Sequence, residues 1–79
     1  MAKFKHSWIF EKDQPDGQRT LVWQVAQPGH VGLTVTRAPK NDPKLREGLL
    51  SQIESLGSLG WEMFAVEDGT YYFRQRIEG

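Results

Sequence analysis

From Lys3 to Glu11 the chain alternates, with Phe4, His6, Trp8 and Phe10 in one phase and Lys3, Lys5, Ser7 and Ile9 in the other. That period of two is what a strand imposes on its side chains, so a first strand is expected over 3–11. Asp13-Gln14-Pro15-Asp16-Gly17 follows, a cluster of residues that supply a fixed φ, a local side-chain hydrogen bond or a positive φ, and it predicts a turn. Arg19 to Gln27 alternates again, with Leu21, Trp23 and Val25 against Thr20, Val22, Gln24 and Ala26, and it stops at Pro28-Gly29. Proline then glycine suits the two central positions of a type II turn. Val31 to Arg37 resumes the alternation, so the second strand (19–27) and the third (31–37) are expected to form a hairpin, completing a meander.

The period then changes. Leu45, Leu49, Ile53 and Leu56 recur at spacings of four, four and three, which makes one apolar stripe on a helix expected over 43–59. Asp42 is placed to cap it and Pro43 suits its first position. Gly60 is the natural left-handed terminator, with Gly57 an alternative earlier stop. Trp61 to Glu67 reads as a short apolar strand, Asp68-Gly69 as a two-residue type I′ turn and Thr70 to Ile77 as the returning strand, which leaves Glu78 and Gly79 as a tail. The predicted fold is α+β: one antiparallel sheet of about five strands in the order β-β-β-α-β-β, with one helix packed on one face.

Length turns this pattern into an argument about assembly. The 79 residues are read as a single domain over 1–79, because a division would leave two pieces with too little core. A chain of this size buries only about 60% of its unfolded surface, so a disulfide, a metal or another subunit is expected to help. With no cysteine, a disulfide is excluded, and His6 and His30 lie far apart with no thiolate to complete a zinc site. Another copy of the chain remains as the expected aid, and no cofactor is expected.

Charge sets further limits. Ten basic and ten acidic residues cancel, so general nucleic-acid binding and attraction to a membrane have no global electrostatic source. The balance is uneven, with six basic against three acidic residues over 1–40 and two against six over 41–68. This polarity suits pairing between subunits, or simply marks a helix with a solvated acidic face. No signal-like apolar run opens the chain and no segment approaches the roughly 20 apolar residues of a membrane span, so a cytoplasmic location is expected.

Leu56-Gly57-Ser58-Leu59-Gly60-Trp61-Glu62, followed by Met63-Phe64-Ala65-Val66 and Tyr71-Tyr72-Phe73-Arg74-Gln75-Arg76, resembles the small bacterial and phage family called "domain of unknown function 4177". Its members share a helix ending in Leu-Gly-x-x-Gly-Trp-Glu, an apolar strand and a hairpin strand with aromatic and basic residues. The likeness covers about residues 45–76, while residues 13–40 are longer than the connection usual in that family. It implies the fold and carries no known activity.

Catalytic chemistry finds little support. A nucleophile needs a base beside it, and Ser7 and His6, adjacent in a strand, project to opposite faces. Glu62 and Glu67 differ by an odd number and are expected to face opposite ways, and Asp68 is explained by its turn. Gly57-Ser58-Leu59-Gly60 closes a helix, whereas phosphate loops open one. The expected role is therefore non-enzymatic.

Both phases of several strands are apolar: Phe10 with Ile9, Val22 with Trp23, Tyr72 with Tyr71 and Phe73. One helix covers only part of one face of a sheet roughly 24 Å wide, which leaves aromatic surface for a partner. The leading expectation is a homo-oligomeric binding module. One alternative captures an anionic nucleotide signal without turnover, as a phage connection would permit. On that reading Tyr72, Arg74 and Arg76 share one phase of the last strand, and Trp23, Lys3, Lys5 and Arg37 complete the pocket if their strands are neighbours. Against it stands a plainer account, arginines lying on tyrosines along a solvated strand. A third reading is an adaptor that adds a strand to a host protein at an open sheet edge.

Overall fold

The computed structural model describes residues 3–77, so the expected tail at Glu78 and Gly79 lies outside the described residues. The elements are β1 (Lys3–Asp13), β2 (Gln18–Val25), β3 (Leu33–Pro39), α1 (Pro43–Ser58), β4 (Glu62–Glu67) and β5 (Thr70–Ile77). They form one antiparallel sheet in the spatial order β3-β2-β1-β5-β4, with α1 against one face. The α+β fold and element order are those expected.

The long β1 lies at the centre and joins two halves that are offset along it. Its residues 7–13 pair with β2, and its residues 3–9 pair with β5. Ser7, Trp8 and Ile9 alone have partners on both sides in these ladders. This stagger draws the molecule out to 46 × 24 × 20 Å.

Turn chemistry sets most boundaries. Gln14–Gly17 closes the first hairpin, with Gly17 at φ 82° and the Gln18 N–H bonded to Asp16 Oδ1 at 3.0 Å. Asp68 and Gly69, at φ 50° and 78°, form the left-handed pair that a type I′ turn requires. The second hairpin departs from expectation: β2 stops at Val25, β3 starts only at Leu33, and β3 runs on to Pro39. The Pro28-Gly29 turn does form, with Gly29 at φ 79° and the His30 N–H bonded to Gln27 O at 3.2 Å. Side chains then replace the ladder. The Val25 N–H donates to His30 Nδ1, and the Gln24 amide donates to His30 O at 2.8 Å.

Helix α1 begins as its sequence requires, with Asp42 Oδ1 accepting from the Lys44 N–H at 2.8 Å and Pro43 in the first turn. It ends in a Schellman arrangement: Trp61 N–H to Leu56 O at 2.9 Å and Gly60 N–H to Gly57 O at 3.1 Å, with Gly60 at φ 92°. Gly57 therefore stays inside the helix. Leu45 and Leu56 are buried against Ile9, Leu21, Ala38 and Phe73, with Leu49, Ile53, Trp23 and Trp61 packed around them. Each fully buried side chain of this kind contributes roughly 1.5–3 kcal/mol.

Candidate functional site

Strand alternation divides the aromatic residues between the two faces. Ile9, Leu21, Trp23, Tyr71 and Phe73 belong to the helix side. Phe4, His6, Trp8, Phe10, Val22, Tyr72, Arg74 and Arg76 occupy the other phase of the same strands and face away from α1. No described element lies over this open face.

Two irregularities refine that division. In β3, Leu21 pairs with Thr36 and Val22 with Thr34, so Val35 is an extra residue. In β4, Met63 pairs with Phe73 and Ala65 with Tyr72, so Phe64 is extra. The second bulge turns Phe64 onto the open face, where its ring meets His6 edge-on at 5.9 Å. It also overturns the expected separation of Glu62 and Glu67. Glu62 pairs with Arg74 and Glu67 with Thr70, so both glutamates share the open face, at opposite ends of β4.

The open face has relief. A hollow of about 580 Å³ lies where β5 begins beside β1, lined by Trp8, Phe10, Thr70 and Tyr72. A second, of about 380 Å³, lies across β1–β3 and is lined by Phe10, Lys12, Thr20, Val22, Thr34 and Arg37. Phe10 is the ridge between them.

Three of the expected ligand residues come together here. Tyr72, Arg74 and Arg76 stand opposite Trp8, His6 and Phe4. Arg37 shares the face but sits on β3, three strand spacings or about 14 Å across the sheet and in the row of Lys12, well along the strands from the rows of Trp8, His6 and Phe4, and is paired with Asp16. Trp23 and Lys5 do not join the group. Trp23 packs under α1, edge-on to Trp61 at 5.9 Å and 87°. Lys5 pairs with Gln75 in the phase of Ser7 and Phe73, and Lys3 shares that phase, so both project to the helix side. Alternation alone decides these reversals, because strand neighbours help only when their registers place them on the same face.

Arg74 has the most specific surroundings. Its guanidinium carbon lies 5.1 Å from the Phe4 ring centre and 5.5 Å from that of Phe64, which come from the strands on either side. One Nη reaches Glu62 Oε1 at 3.4 Å, and its buried Nε has no hydrogen-bond partner among the described residues. Sequence reasoning missed Phe4, His6 and Phe64 as its neighbours. The alternation marked Phe4 and His6, but the bulge at Phe64 left no signal in the pattern.

On the helix side a third hollow of about 490 Å³ lies beside Arg19, Asp42 and Tyr71. Arg19 is tied there to Asp13 at 2.7 Å and Glu11 at 3.0 Å. The Arg19 hydrogen bond, foremost, holds the Asp13 carboxyl below its ordinary pKa and raises the guanidinium in turn, a clasp on the first hairpin. Ser7, only 1% exposed, faces the core while His6 faces outward, so the two cannot act on one substrate. Among the described residues no three His, Asp or Glu side chains converge as a metal site would need, and no helix is long and apolar enough to cross a membrane.

Comparison with protein-family models, with curated proteins and with solved structures found no match to this chain.

Proposed function

We propose that this chain is a non-enzymatic module that assembles with a second copy of itself through the open face of its sheet and holds a partner or small ligand there. The observation that carries this reading is the continuous aromatic band on that face. Phe4 and Phe64 remain 41% and 46% exposed, and Trp8, Phe10 and Tyr72 are covered only in part. Apolar surface gathered in this way on a small domain marks a contact site.

The relief of the face favours a second copy. Phe10 stands between two hollows, so a two-fold arrangement seats the ridge of each copy in a hollow of the other, as an isologous contact requires. A molecule 46 Å long and 24 Å wide offers enough face for the roughly 800 Å² per partner that a stable interface buries.

The sheet edges support an adaptor role less well. β4 carries a bulge and a glutamate at each end, and β3 carries a bulge and ends in Pro39, all features that blunt an edge against strand addition. Capture of a nucleotide has one specific support, the grouping of Tyr72, Arg74 and Arg76 on the working face.

Sedimentation equilibrium at micromolar concentration tests the assembly. A dimer is expected, reduced to a monomer by Phe10→Glu with its circular dichroism spectrum kept. A wild-type chain that stays monomeric would overturn the reading.

A further inference from the structure

We infer that Arg74 anchors a phosphate-binding site on the open face, with Arg76 and His6 as flanking donors and Glu62 as the internal counter-ion that a ligand displaces. This deepens the proposed function and rests on the open face being the working surface.

Aromatic rings from the two neighbouring strands hold the guanidinium, Phe4 on β1 and Phe64 on β4. A guanidinium held against rings loses little freedom on binding, and its remaining donors keep the planar fork that grips an oxyanion. Those donors are poorly used. The contact with Glu62 is 3.4 Å long, and Nε has no partner among the described residues. Bonds from a guanidinium to phosphate are shorter, near 2.8 Å, so a phosphate gains what Glu62 does not supply. The Glu62 side chain is 67% exposed and is free to swing away.

The surroundings supply a second guanidinium and an imidazole ring. Arg76 lies two residues along the same face, about 6.8 Å of strand rise away. His6 is the register partner of Arg74. Two guanidinium groups one repeat apart suit a dianion such as a phosphate monoester better than a single carboxylate. In the other direction the next row is Trp8 opposite Tyr72, again about 6.8 Å away, where an aromatic ring attached to the phosphate would stack. The attraction is local, since the whole chain is neutral.

The test follows the Arg74 Nε–H signal by NMR in the full chain, with inorganic phosphate, acetate, adenosine and adenosine 5′-monophosphate as probes. Both phosphate probes are expected to shift it, while acetate and adenosine leave it in place. Tighter binding of the nucleotide than of phosphate assigns the aromatic row to the ligand, and equal binding assigns the phosphate alone. Arg74→Lys keeps the charge but loses the fork and is expected to weaken binding about tenfold. Glu62→Gln removes the competing carboxylate and is expected to tighten binding several-fold. Its exposed position keeps the fold intact, so it decides the matter even if the Arg74 variant does not fold. No shift with phosphate, or a Glu62→Gln variant that binds no better, would overturn the site. Sedimentation of the same samples separates the two readings: a dimer without a phosphate shift removes the anion site alone, and a monomer removes the assembly.

Discussion

Gly48 on α1 lies so close to Thr36 on β3 that a Cβ built at Gly48 would stand 1.9 Å from Thr36 Oγ1 and 2.8 Å from Thr36 Cβ. The helix backbone comes close to β3 at this point. Helix propensity by itself favours Gly48→Ala by about 1 kcal/mol. The facing side chain is β-branched and stiff, so the added methyl forces α1 away from β3, and overpacking of this kind costs about 1–3 kcal/mol. Net destabilisation is expected in urea titration, and Gly48→Ala with Thr36→Gly should recover part of it. An alanine variant as stable as the parent would contradict the close approach.

Two glycines of the helix-to-strand corner should respond with opposite signs to the same substitution. Gly60 holds φ at 92°, so Gly60→Ala is expected to cost about 1–2 kcal/mol. Gly57 lies inside α1, and a Cβ there meets nothing within 4 Å. Gly57→Ala should therefore stabilise the protein by about 1 kcal/mol. Thermal melts of the pair read the difference directly.

Trp23 is a structural residue, and its removal should be felt in folding. It is packed against the core and edge-on to Trp61 at 5.9 Å. Trp23→Ala and Trp61→Ala are each expected to destabilise by about 3 kcal/mol. The double variant should show a coupling of about 1 kcal/mol between the rings. Additive losses would mean that the two indoles act independently.

Acid should weaken the first hairpin. The Arg19 hydrogen bond, foremost, holds Asp13 below its ordinary pKa of 3.8, and the Gln18 backbone N–H, then Arg37, hold Asp16 below it. A carboxyl depressed in the folded state stabilises above its unfolded pKa, and that contribution is lost as pH falls through the folded value. Urea midpoints should thus be insensitive to these two groups above about pH 5 and should decline below about pH 4. Arg19→Gln should reduce the decline through Asp13 and leave that of Asp16. Both groups are exposed, so the effect is small and is read as a difference between the two pH profiles.

Much of the fold was legible because it depends on local chemistry. Asp42-Pro43 starts the helix, Gly60 ends it, Asp68-Gly69 makes the last turn, and the stripe from Leu45 to Leu56 names the face that is buried. The ends of β2 and β3 were not legible, because side chains of Gln24 and His30 take over the hydrogen bonds that a ladder would have used. A pattern of apolar and polar residues contains no term for such bonds.

For the candidate site, the sequence determined by itself that aromatic residues occupy both phases of the strands and that Tyr72, Arg74 and Arg76 share one of them. Period two follows from backbone geometry and needs no tertiary information. Only the tertiary structure decided which phase lies under α1, setting Trp23 and Lys5 on the helix side and Phe4, His6 and Trp8 beside the arginines. It also decided, through one extra residue in β4, that Phe64 and Glu62 close around Arg74. Strand order and register are set by how the whole sheet buries its core, and a single bulge reverses the facing of every residue beyond it.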